Sequence, residues 1–298
     1  MGTNLAGTEG MERTSRAAAT RMEPPAGPVR ARSRRGPLAM VRRQGPVTAT
    51  ISVIVGLGLW EILGRKVITN DLFFVPLSSA VERLWQMGRD GELWSNLYPS
   101  LLEILLGYGG ATIAGIAIGV LMGVWRPLRL ALSPWVELLN AIPIIALAPL
   151  FILSLGLGLN SKIALIGFFV IWSIVLNTYV GFENADQQLK DMVRSFGSTR
   201  WQILRYVEFP HVIPFIAVGM RVALGRAMVG VVVGELFGST SGIGYFLFQS
   251  KDRFDTAGIF TSLILLSAIA LIGSGLIRLL ERVLAPWPHE SSGRNGEF

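Results

Sequence analysis

The twenty residues Asp191–Pro210, DMVRSFGSTRWQILRYVEFP, form a charged, amphipathic island between two apolar stretches, each long enough to cross a membrane. Leu189, Met192, Val193 and Phe196 recur at i, i+3, i+4 and i+7, the apolar stripe of one helical face, while Lys190, Asp191 and Arg194 occupy the rest of the surface. Gly197 follows where a helix C-terminus favours positive φ. Thr199-Arg-Trp-Gln202 has the spacing of a capping box for a second short helix, which Pro210 and Pro214 limit. The island therefore reads as helix, glycine turn, helix, proline, span. Its periodicity fits two uses equally: resting on anionic lipid headgroups, or docking onto a partner.

The surrounding chain has the composition of a membrane protein. Of 298 residues, 51% are hydrophobic and only 16% charged, against about 25% charged in soluble domains. Six segments approach the roughly twenty apolar residues that a bilayer core requires: Val47–Leu63, Leu97–Val124, Leu130–Leu159, Ile163–Phe182, Val212–Phe237 and Ala257–Leu280. The expected fold is all-α and polytopic, with six transmembrane helices in a membrane domain over 47–284 and a C-terminal tail over 285–298. Residues 1–46 carry nine arginines and three acids with no periodicity. This stretch is expected to be a disordered basic tail, so the net charge of +7 does not argue for nucleic acid. The first apolar run reads as a retained anchor, because its basic leader is long and no small-residue cleavage site follows.

Six spans put both termini on one side. With the tail inside, 18 Lys/Arg lie on the inner side and seven on the outer. That bias predicts N-in/C-in and places the island, within a loop over 183–211, in the cytoplasm. On the outer side, Ser79-Ala-Val-Glu82 reads as a capping box opening a short interfacial helix with Val81, Leu84 and Trp85 on its apolar face.

Ionisable residues within spans are costly and mark candidate sites. Counted along its span, Arg221 lies roughly 10 Å deep and Glu137 reaches a similar depth, which predicts an Arg221–Glu137 ion pair. Arg226 lies roughly 18 Å deep. It either lines a translocation path and favours anions or pairs with a carboxylate such as Glu103. Glu235 falls on the opposite helix face and is no partner for it. Pro143 and Pro149 are expected to bend the third span. Gly107, Gly115, Gly119 and Gly123 give the second a small-residue packing face.

Several chemistries are excluded. There is no cysteine, and His211 and His289 are isolated, so no metal cluster can be built. No Gly-Lys-Ser/Thr phosphate loop is present, and no nucleophile or carboxylate pair marks an enzyme. A secondary transporter would show paired repeats, and the Pro143–Gly158 pattern has no second copy. A non-transporting assembly subunit would need no docking helix.

The island's spacing is more specific than its periodicity. Asp191-Met-Val193, three residues, Gly197, nine residues, Val207, one residue, then Phe209-Pro210 resembles the signature loop of ABC importer permeases. That loop reads Glu-Ala-Ala, three residues, Gly, nine residues, Ile, one residue, Leu-Pro. Here Asp191 stands for the Glu, Met192 and Val193 for the alanines, and Phe209 for the Leu. Asn140-Ala-Ile-Pro143 through Pro149, Leu155-Gly-Leu-Gly158, Ser161-Lys162, Gly219-Met-Arg221, Gly234-Glu235 and Ser241-Gly-Ile-Gly-Tyr245 are similar to stretches of the sulfonate, taurine and nitrate permeases, over a core of about 95–280. The resemblance implies a type I importer fold in a bacterial plasma membrane. It also implies a paired second permease copy (a homodimer is expected), two cytoplasmic ATPase subunits and an external substrate-binding protein. Leu189, Asp191, Met192, Val193, Phe196, Gly197, Val207 and Pro210 would form the coupling loop, and Asn140, Pro143, Arg226 and Glu235 the path or gate. No cofactor is expected in this chain, since ATP and Mg would sit on the ATPase. Arg226 departs from the apolar residue the resemblance leads one to expect there.

Overall fold

The computed structural model describes residues 46–285 except Thr69 and Asp71. The tails expected over 1–46 and 285–298 lie outside the described residues, apart from Pro46 and Ala285. The chain divides into two units, Met1–Ile54 and Val55–Phe298. All regular structure among the described residues is helical. Helix α1 spans Pro46–Ile62, and the side chains described in its first turns are exposed. A π-helical turn, Leu63–Val67, prolongs it. Then follow α2 (Leu77–Arg89), α3 (Glu92–Val124), α4 (Arg126–Ala141), α5 (Ile144–Leu155) and α6 (Leu159–Glu183). The island forms α7 (Gln187–Ser195) and α8 (Arg200–Ile203), and the chain closes with α9 (Phe209–Gly238), α10 (Ile243–Asp252) and α11 (Thr256–Leu284). Among the described residues, five helices are long and apolar enough to cross a membrane, or six if α4 and α5 count as one span.

The third segment is two separate helices and not the single bent helix expected of it. Between α4 and α5 the axis turns by 101°. Pro143 cannot donate to the ladder, and its ring drives Ile142 into extended backbone with ψ 132°, so α4 stops and α5 restarts with Pro143 as its N-cap. Of the two prolines expected to bend the span, only Pro149 lies inside a helix. Gly156 and Gly158, at φ +80° and +151°, turn the chain from α5 into α6.

Helix α6 lies between α3 and α9 and packs against both. Ile166, Val170 and Ile174 are fully buried among Ile104, Ala111, Ala223, Leu224 and Val231. The glycines allow this approach. A Cβ at Gly119 would stand 2.5 Å from Thr178 Cβ, and one at Gly107 2.9 Å from Ile166 Cβ. In a membrane such contact relies on van der Waals packing between small residues, so the glycine row of α3 is a packing surface, as expected.

Two ends of the bundle are distinguished by the island: a loop end, where α3 and α6 finish and α9 begins, and a far end. Helix α2 belongs to the far end, and Val81 and Trp85 are exposed on it. It starts three residues earlier than predicted and without the expected Ser79–Glu82 box. Pro76 is the N-cap, and the carboxylate of Glu61 accepts from the backbone N–H (3.0 Å) and hydroxyl (2.9 Å) of Ser78. A tertiary acceptor thus takes the place of the local cap.

Candidate functional site

At the loop end, the Asp186 side chain accepts from the amides of Gln188 (2.8 Å) and Leu189 (3.3 Å), satisfying the first free donors of α7. Gly197 ends the helix at φ +84°, and its amide donates to Arg194 O at 2.9 Å. The Thr199–Gln202 capping box forms in both directions. A π-helical turn over Leu204–Glu208, containing Val207, joins α8 to α9, and Pro210 sits in the first turn of α9, where its missing N–H costs nothing.

The stripe on α7 is open. Leu189, Met192 and Phe196 are 41%, 52% and 82% exposed, and Val193 is half-buried. Asp191 lies beside it, accepting from Gln187 and Arg194. The open helix is nevertheless tied to the spans. Lys190 pairs with Glu208 at 3.2 Å, and Arg200 donates to the carbonyl of Val124, the last residue of α3, at 3.1 Å. Arg129 at the start of α4 pairs with Glu183 at the end of α6, 3.2 Å away. Lys190 of α7 is thus joined to the residue before α9, and Arg200 of α8 to the end of α3. The ties made by Asp186 and Glu208 were missed in the sequence, although an Asp just before an amphipathic run is a legible cap.

Deeper in the bundle, Arg226 Nη1 donates to Asn140 Oδ1 at 2.5 Å, both side chains being half-buried. Asn140 stands at the end of α4, just before the break, where Pro143 is exposed. Arg226 borders a face of α9 that no element among the described residues covers: Val218, Val222, Gly225 and Val229, at helical spacing, are all exposed. Of the four predicted path residues, Arg226 and Asn140 are thus brought together beside this face. Glu235 does not join them. It is fully buried, and the carboxylate of Glu103, expected as an alternative partner for Arg226, is held at 2.7 Å by Lys162.

The predicted Arg221–Glu137 pair is not formed. Arg221 Nη1 meets Glu281 Oε2 at 2.6 Å, and Glu137 is exposed on α4. The depth count treated the third span as one straight helix. It also closed the sixth span at Leu280, one residue short of its acid, whereas α11 continues to Leu284.

At the far end Glu235 has a different task. Its Oε2 accepts from the amides of Gly244 (2.6 Å) and Tyr245 (3.2 Å), and its Oε1 accepts from Ser100 Oγ (2.5 Å). Ser100 Oγ accepts from Ile243 N at 2.8 Å, and Asn96 Oδ1 from Gly242 N at 3.0 Å. The amides that open α10 are therefore satisfied by side chains of α3 and α9. Gly242, at φ +127°, and Gly244 leave room for the carboxyl: a Cβ on Gly242 would collide with it, and one on Gly244 would lie 2.9 Å from Oε2. This explains the Ser241-Gly-Ile-Gly-Tyr245 pattern, which the resemblance pointed to without giving a reason.

Comparison with known proteins gives these features a context. Residues 113–287 match the family model described as binding-protein-dependent transport system inner membrane component. The riboflavin transport system permease protein of Chloroflexus aurantiacus is 36% identical over 81% of this chain and 89% of its own. The taurine transport system permease protein of Escherichia coli is 28% identical over 82% and 93%. Among solved structures, the inward-facing MetNI methionine ABC transporter superposes with a TM-score of 0.55 over 67% of this chain and 96% of the other, at 19% identity, a likeness of fold.

Proposed function

The chain belongs to the family of binding-protein-dependent transport system inner membrane components, and on that premise we propose that it forms half of the path by which an importer admits a small anionic solute of the sulfonate, taurine or nitrate kind. It is a multi-pass permease, and ATP hydrolysis belongs to a separate subunit. The observation that carries the reading is the open apolar stripe of α7, tied by Lys190–Glu208 and Arg200–Val124 to the spans it would move. Two cytoplasmic ATPase subunits, each holding ATP and Mg, dock on the stripe, with the loop end inside. A second copy of this chain closes over the uncovered face of α9. An external binding protein delivers solute at the far end.

The anion preference rests on Arg226. Its guanidinium is half-exposed beside the apolar α9 face and has a neutral partner in Asn140, so it keeps its charge for a passing anion. Two experiments test the proposal. Co-purification with the partner ATPase should be lost in Phe196→Asp, whose site is 82% exposed and adds no folding cost. It should also be lost in Gly197→Pro, because proline reaches neither φ +84° nor the bond to Arg194 O. Retention in both would reduce the loop to a surface anchor. In reconstituted vesicles, Arg226→Leu should abolish uptake of anions; unchanged uptake and selectivity would remove Arg226 from the path.

A further inference from the structure

Two carboxyls and one ammonium are sealed into the far end of the bundle. Glu103 is 1% exposed, Glu235 0% and Lys162 8%. Glu103 Oε1 accepts from Lys162 Nζ, while its buried Oε2 has no partner. Glu103 lies one turn beyond Ser100 on α3, and Ser100 donates to the Glu235 carboxyl, whose oxygens also accept from Gly244 and Tyr245. The stem of Lys162 packs on Gly234, the residue before Glu235, while its ammonium is held by Glu103.

Among the described residues the nearby cations are engaged elsewhere: Arg83, which stacks on Phe246, pairs with Glu92 and Asp255, and Lys251 of α10 pairs with Asp252. Helix α5 has no titratable residue. Tyr245 of α10 offers its backbone amide, Tyr108 of α3 donates to Met220 O, and Arg226 of α9 is engaged by Asn140. Apolar Ile104, Ile166, Val231 and Ile243 make up the nearby core. With both acids ionised, the site would bury an uncompensated negative charge and set two acceptor-only groups against each other, each a large cost in a medium that cannot solvate it.

We propose that Glu103 and Glu235 bind one proton between them, carried on Glu103 Oε2 and donated to the Glu235 carboxylate. One proton removes both faults: the unpartnered oxygen becomes a donor, and the remaining carboxylate balances Lys162. The site joins α3, α6, α9 and, through the amides of Gly244 and Tyr245, α10. Proton occupancy therefore governs how firmly α10 is seated. Glutamates in the unfolded chain are ionised at neutral pH, so unfolding releases the proton. The native state binds more protons than the unfolded one, and stability falls as pH rises.

The test is infrared spectroscopy of the purified full chain in lipid nanodiscs, with thermal unfolding followed across neutral to alkaline pH. One protonated-carboxyl C=O band per chain is expected at neutral pH, shifting in deuterated water, absent from Glu103→Gln and lost from the wild type at alkaline pH. Glu103→Gln should fold, since its amide accepts from Lys162 and donates to Glu235, and its unfolding midpoint should lose the alkaline decline. If the wild type shows no such band at neutral pH, the proposal is overturned, whether or not the variant folds. If the band persists in Glu103→Gln, the proton lies elsewhere and the assignment fails.

Discussion

Replacing Gly242 by alanine removes no side chain, yet it should unseat α10. Gly242 lies at φ +127° and ψ 161°, a region open essentially to glycine alone, so an L-residue there is strained by about 1–3 kcal/mol. A Cβ built on it falls within contact of the Glu235 carboxyl, which must then retreat from the amides of Gly244 and Tyr245. Each hydrogen bond to a charged group contributes roughly 1.5–3 kcal/mol. Strain together with the loss of one such bond amounts to about 3 kcal/mol, or a factor of roughly 100 in a local opening equilibrium. Hydrogen–deuterium exchange in nanodiscs, read on peptides covering Ile243–Asp252, is the direct assay. Protection there should drop about 100-fold, while that of α6 stays unchanged. Gly275→Ala is the control: its Cβ meets nothing within 4 Å, and it should exchange like the wild type. Wild-type protection of α10 in Gly242→Ala would refute the argument that the carboxyl holds the helix by its first turn.

Three further outcomes are expected. Glu281→Gln should destabilise the bundle by about 1–3 kcal/mol, because it leaves Arg221 without its partner, whereas Glu137→Gln should stay within about 0.5 kcal/mol of wild type; thermal unfolding of the two variants side by side decides it. Asp186→Ala should cost α7 about 1 kcal/mol through loss of its N-cap, seen as faster exchange of the Gln188 and Leu189 amides with the spans unaffected. Gly119→Val should force α3 away from Thr178 on α6 and lower stability by roughly 1–3 kcal/mol, measured as a fall in the unfolding midpoint.

Much of the architecture was legible because it is local. Apolar length marked the spans, the i, i+3, i+4, i+7 stripe marked α7, and Gly197 and the Thr199–Gln202 box marked its turn and successor. Each depends on residues within a few positions, so a one-dimensional pattern carries it. The errors share the opposite property. The Ser79–Glu82 box competed with an acceptor from α1, and Glu61 won because it reached the free amide of Ser78 across the fold. The third span looked continuous because Ala141–Ile144 is apolar; the cost of continuing through Pro143 turned it by 101°.

Consecutive residues alone were enough to mark a polytopic helical membrane protein with an amphipathic loop at one end, since hydrophobic length and helical period are local properties. Only the tertiary structure decided the partners of its intramembrane charges: Arg221 with Glu281, Arg226 with Asn140, Glu103 with Lys162, and Glu235 with the first turn of α10. Depth along a span says how far in a charge lies but nothing of which way it faces. In an apolar medium a buried charge is governed by whichever group happens to face it within about 3 Å.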